Sequence, residues 1–114
     1  MIRSFDFFRE EGVTLEHIAD AYKEPIALCA EHGITLLLES EPTANSYDCK
    51  SIAATVEYIN SPYVRSLYEP GNDIYSPTEE IPFPEGFEHV KSTFAHVHVK
   101  DAVKENGTAK GVAI

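Results

Sequence analysis

The chain has 114 residues, with nine Lys or Arg against nineteen Asp or Glu and a net charge of −10, a length that allows one domain. At 43% apolar and 25% charged residues the composition is globular, and it excludes a disordered acidic tail, a collagen and a disulfide-dense scaffold. No Lys/Arg cluster offsets the negative charge and no apolar run approaches the roughly 18–20 residues that span a bilayer, so neither nucleic acid nor membrane is an expected partner.

In chain order, Ile2–Phe8 is the first run rich in β-branched and aromatic residues, and it reads as a strand. It has no basic leader, apolar stretch and cleavage site, so a soluble, cytoplasmic protein is expected. Thr14–His32 follows, where Leu15, Ile18, Ala19, Tyr22, Ile26, Cys29 and Ala30 recur at three- and four-residue steps as one apolar helical stripe. Thr14 is its expected N-cap and Gly33 its stop. Pro25 falls inside the stripe and removes the hydrogen bond to the Ala21 carbonyl, so a kink or two helical pieces are expected. Ile34–Glu39 is the second strand. Ile52, Ala53, Val56 and Ile59 mark the second helix, with Ser46 or Asp48 as cap and Asn60-Ser61-Pro62 as its end.

Val64–Glu69 is the third strand, Pro70–Pro84 a loop, and Phe87 and Val90 mark a short helix before the fourth strand, Phe94–Val99. Ala102–Ile114, which contains Asn106-Gly107, reads as a loop that has not reached a next element. Cys29 and Cys49 lie in helical segments without a Cys-x-x-Cys clip, and both are expected to be reduced thiols.

Strands and helices alternating every thirty or so residues imply parallel strands joined by helical crossovers, since parallel neighbours need a long return. The expected class is α/β, with four βα units forming a small open sheet that has two exposed edges and is marginal as a monomer.

Three strands end in a side chain able to bind a metal: Glu39, Glu69 and His98. Equal spacing along a parallel array places equivalent positions side by side, so the three should meet at the C-terminal edge, where α/β proteins bind ligands. Two carboxylates and an imidazole suit Mn²⁺, Mg²⁺, Co²⁺ or Zn²⁺. In the last strand His96, His98 and Lys100 share one side, toward a pocket, and Ala95, Val97 and Val99 share the other, under helices. His96 is expected as a supporting group, and Arg3 as an anchor for a substrate oxygen or a counter-charge to the carboxylates. His17, His32 and His89 fall on helical segments and are expected at the surface.

Four stretches in this order resemble the xylose isomerase-like barrels that include sugar phosphate isomerases and epimerases. They are Ile2-Arg3-Ser4-Phe5, Gly33 to Glu39, Leu67-Tyr68-Glu69-Pro70-Gly71-Asn72, and His96-Val97-His98-Val99-Lys100-Asp101. The resemblance implies that residues 1–114 are one partial (β/α)₈ TIM-barrel domain, strands four to seven, without the last strand and helix. A full barrel of about 250 residues would be roughly twice as long, so a truncated product or gene fragment is expected.

By the same resemblance Glu39 matches the metal-binding Glu after the fifth strand, which is also a catalytic acid/base. Glu69 stands where the family has an Asp ligand, His98 where it has its His ligand, Asn72 near the substrate, and Lys100 in a His-x-Lys-Asp signature. The implied reaction is metal-dependent isomerisation or epimerisation of a sugar or sugar phosphate through an enediolate, with Mn²⁺ as the first choice of ion. The fourth ligand and partner acid/base, a Glu after the eighth strand, falls beyond Ile114, so little activity is expected of this chain alone. The alternative is a non-catalytic half-barrel that pairs through its strand edges, as a homodimer or with a complementary fragment. A DNA-repair endonuclease of the same superfamily needs a basic groove and conflicts with the charge.

Overall fold

Leu36, Leu37 and Leu38 are all buried, on both faces of their strand, as an inner strand of a parallel sheet requires. The computed structural model describes residues 1–114. In it β1 (Ile2–Ser4), β2 (Leu36–Glu39), β3 (Val64–Tyr68) and β4 (Phe94–Val97) form one parallel sheet in the order β1-β2-β3-β4. The strands fall where the apolar runs placed them, though β1 stops at Ser4 and Phe8 makes only an isolated bridge to Ala44. β1 and β4 are the open edges.

The helices are α1 (Leu15–His32), α2 (Cys49–Ile59), α3 (Pro70–Asp73) and α4 (Phe87–Val90), the last preceded by an irregular turn over Pro82–Gly86 in which Phe83 is extended. Ile18, Tyr22 and Cys29 of α1, Ile52, Ala53 and Val56 of α2 and Val90 of α4 pack on Leu36, Leu38, Val64 and Tyr68 from one side of the sheet. Thr14 caps α1 through the His17 amide while the His17 ring accepts from the Thr14 amide, and Gly33 ends the helix with φ 63°. Asp48, not Ser46, caps α2, and Ser46 instead bonds Thr55. Both cysteines are free and buried. No helix is long and apolar enough to cross a membrane.

Four expectations are corrected. α1 runs through Pro25 as one helix, because Pro25 and Ala21 both lie on the solvent side, where water can satisfy the carbonyl that loses its donor. The C-terminal residues are not a loop: β5 (Asp101–Glu105) and β6 (Thr108–Val112) form an antiparallel hairpin. Its turn is Asn106-Gly107, both left-handed at φ 49° and 78°, the geometry that matches the twist of the flanking strands. Third, Ala95, Val97 and Val99 are exposed, since β4 is an edge strand and no helix covers its outer part.

The fourth concerns register. Glu39 pairs with Leu67, not with Glu69, so it sits one pleat lower than equal spacing suggests. Between β3 and β4 the pairing steps from Ser66–Phe94 to Leu67–His96, leaving Ala95 as an extra residue, a β-bulge. Phe94 therefore packs on the helix side against Tyr68 and Phe87, while His96 faces the opposite side with Leu67.

Candidate metal centre

β2 ends in Glu39, β3 runs into Glu69 at the start of α3, and His98 follows β4 with its amide donating to the Tyr68 carbonyl at 3.0 Å. The side chains meet on the face of the sheet away from the helices. His98 Nδ1 lies 2.9 Å from Glu69 Oε2 and 3.2 Å from Glu39 Oε1. The second oxygen of each carboxylate faces a cation: Glu39 Oε2 accepts from Arg3 Nη1 at 3.0 Å, and Glu69 Oε1 lies 3.4 Å from Lys100 Nζ. Glu39 is 1% exposed and Glu69 6%, so the pair is taken out of water while its partners reach solvent.

Two carboxylates in so little water cannot both stay charged without compensation. Burial first, and then the neighbouring Glu69, push Glu39 up to about 7, and Arg3 and His98 offset only part of this. Burial also works to raise Glu69, but hydrogen bonds from Glu39, His98 and Lys100 outweigh it and hold that carboxyl below its usual range. Of the two carboxyls, Glu39 is therefore the one that takes up a proton first as the pH falls. His98 is raised, chiefly by its bond to Glu69 and against burial.

The three candidate ligand atoms lie within 4.8 Å of one another. Two carboxylate oxygens with one imidazole nitrogen fit a hard to borderline divalent ion. The longer side chain at position 69, where the resemblance expects an Asp, reaches His98 without difficulty.

The other residues singled out from the sequence gather around this set. Lys100 Nζ donates to Asn72 Oδ1 at 2.6 Å, and Asn72 Nδ2 donates to the Ser40 carbonyl at 3.1 Å, which ties the loops after β2, β3 and β4 together. The His96 ring stands edge-on to His98 with centroids 5.7 Å apart, and Arg3 stacks over Phe5 at 5.0 Å. Two participants escaped the sequence reading: the Ser40 carbonyl, a backbone group that no composition reveals, and Tyr75, whose ring lies 5.6 Å from Lys100 Nζ. Beside the site, past the end of β1, Phe5, Phe7, Phe8 and Ala44 line much of an apolar cleft of about 560 Å³ that none of the three ligand residues enters.

No protein-family model and no curated protein matches the sequence. The crystal structure of a xylose isomerase domain protein from Planctomyces limnophilus matches 95% of the chain with a TM-score of 0.74 at 22% identity. The matched part is 39% of that protein's chain, so the present chain spans about two fifths of it. The chain has the fold of part of a xylose isomerase-type TIM barrel, in which three successive strands bring Glu39, Glu69 and His98 together.

Proposed function

We propose that this chain provides the metal-holding side of a sugar or sugar-phosphate isomerase or epimerase site. Glu39, Glu69 and His98 would hold a divalent cation, Mn²⁺ first and Mg²⁺, Co²⁺ or Zn²⁺ as alternatives, and Glu39 would also move the substrate proton. The observation that carries the reading is the convergence of those three side chains, from three strands, on one face of the sheet. When bound, the ion supplies Lewis-acid polarisation of neighbouring hydroxyl and carbonyl oxygens, which proton exchange between adjacent sugar carbons needs.

The chain's own residues divide the remaining work. Glu39, with a pKa near 7 set by burial and Glu69, has the proton affinity that suits a general acid/base at neutral pH. Glu69, held below the usual carboxylate range by Glu39, His98 and Lys100 against burial, keeps its charge on the ligand set. Arg3 and Lys100 are half-exposed cations on opposite sides of the carboxylates, placed to bind and orient substrate oxygens, with Asn72 positioning Lys100. His96 braces the His98 ring. The four strands enclose this site from one side only, so turnover by the chain alone is expected to be small.

Calorimetric titration with Mn²⁺ tests the reading. The expected result is one ion bound per chain at this site, with binding weakened at least about tenfold by Glu39→Gln and by His98→Ala. No binding, or binding indifferent to both substitutions, removes the site.

The two open edges favour a second reading. Ile2 on β1 and Val97 on β4 are exposed beside unpaired strand backbone, an arrangement that invites pairing with a second copy or a complementary fragment. A clean monomer by light scattering at high concentration would count against it.

A further inference from the structure

On the helix side of the sheet, away from the first centre, Cys49 Sγ and carboxylate oxygens of Asp73 and Glu80 also lie within 4.8 Å of one another. Cys49 opens α2, Asp73 closes α3 and Glu80 comes from the loop between α3 and the turn before α4. Asp73 Oδ1 and Glu80 Oε1 both accept from the Cys49 amide, at 3.2 and 2.8 Å, and Glu80 Oε2 accepts from the Lys50 amide at 3.2 Å. These bonds use the start of α2 but leave Asp73 Oδ2 with no partner, on a residue that is 1% exposed. A buried carboxylate oxygen without a donor is costly.

A second observation bears on the same space. Gly86 has φ −59° and ψ −40°, which any L-residue adopts, so its backbone does not need glycine. What it lacks is a side chain: a Cβ there would lie 2.8 Å from Asp73 Oδ2 and 3.0 Å from Cys49 Sγ. The bare Gly86 keeps room beside the two donors that have unused capacity. Nearby, His89 Nε2 is 3.5 Å from Glu80 Oε2.

We infer that Cys49, Asp73 and Glu80 form a second metal site, for a borderline, thiolate-accepting divalent cation of the Zn²⁺ or Co²⁺ class. One sulfur and carboxylate oxygens are among the donor types of zinc sites. Burial, and then Asp73 and Glu80, push the Cys49 thiol up, so without the ion it is a neutral S–H and not a nucleophile. Binding exchanges protons for the cation: the Cys49 thiol proton, and any proton on Asp73, leave to solvent as the ion enters. The site is separate from the Glu39, Glu69 and His98 set and does not depend on the activity proposed for it.

The experiment is titration of the full chain with Co²⁺, which reports a bound thiolate by sulfur-to-metal charge-transfer absorption in the near ultraviolet. It is done in a Glu39→Gln/His98→Ala background, which removes the first centre, and repeated in the wild type. The expected result is a charge-transfer band that saturates at one ion per chain, survives Cys29→Ser and disappears in Cys49→Ser. Asp73→Asn and Gly86→Ala, which keep the thiol, should each weaken Co²⁺ binding at least about tenfold, so the inference stays testable even if the Cys49 variant folds poorly. No such band, a band that persists in Cys49→Ser, or affinity unmoved by both Asp73→Asn and Gly86→Ala would overturn it, and would mean that the carboxyl pair holds only a proton.

Discussion

Gly71 lies directly against Lys100: a Cβ at position 71 would stand 2.6 Å from Lys100 Cγ and 2.9 Å from its carbonyl oxygen. Only a residue without a side chain lets the turn after β3 come this close to the segment leaving β4, and that approach brings Lys100 onto Asn72 and Glu69. Gly71→Ala should therefore cost about 1–3 kcal/mol, the range for overpacking a filled site. It should also displace Lys100 from Asn72. Urea denaturation checks the first part, and unchanged stability would show that the contact yields freely.

In the absence of metal the fold should be more stable at pH 5 than at pH 8. Glu39 and Asp73 start from ordinary values of 4.5 and 3.8, and burial, followed by the adjacent carboxylate, lifts each to about 7. Between those limits the folded chain holds protons that the unfolded chain has released, so stability falls as pH rises toward 7 and levels off above it. His98, raised above 6.5 by Glu69, contributes stability that is complete below 6.5 and lost at higher pH, in the same direction. Glu69, held below 4.5, loses its contribution only in more acid solution. Thermal melts with chelator present should show a lower Tm at pH 8 by several degrees and a smaller gap in Asp73→Asn; a flat profile would contradict the buried carboxyl pairs.

Added Mn²⁺ should counter that slope. An ion that replaces protons binds more tightly where the protons are already scarce, so the gain in Tm should be larger at pH 8 than at pH 5. At a free concentration of one hundred times Kd the stabilisation is about 2.7 kcal/mol. Equal shifts at both pH values would mean that the ion binds elsewhere.

Asp48 links the cap of α2 to the loop that carries Glu80. Its Oδ1 accepts from the Ser51 amide at 2.8 Å and its Oδ2 from the Thr78 hydroxyl at 2.9 Å. Asp48→Ala should cost about 0.5–2 kcal/mol, as loss of an N-cap does, whereas Thr78→Val should cost less because the cap survives. Chemical denaturation of the two variants separates these terms.

The convergence of Glu39, Glu69 and His98 was legible because strand ends repeat: apolar runs locate the strands, and three of the four runs end at or beside one of these residues. What the repeat could not show was local irregularity. The one-pleat offset of Glu39 comes from strand stagger, and the bulge at Ala95 leaves no mark in an apolar/polar pattern. Pro25 misled because propensity counts a lost hydrogen bond without knowing which side faces water. The Asn106-Gly107 pair was seen, yet its flanking residues are mostly exposed and show no apolar stripe to announce two strands. Cys49, Asp73 and Glu80 come from a helix start, a single helical turn and a loop, with no shared period to connect them.

The extra residue at Ala95 separates two jobs that an uninterrupted strand would couple. Phe94 anchors the aromatic cluster with Tyr68 and Phe87, and His98 serves the opposite face, with the kink absorbing the mismatch between them. Pairing Ala95 into the ladder without the bulge would put His96 and His98 on the same side as Phe94, toward the helices and away from the carboxylates. Repacking Phe94, by contrast, can proceed without rotating the histidines, so this edge can drift in sequence on one side while its chemistry on the other stays put.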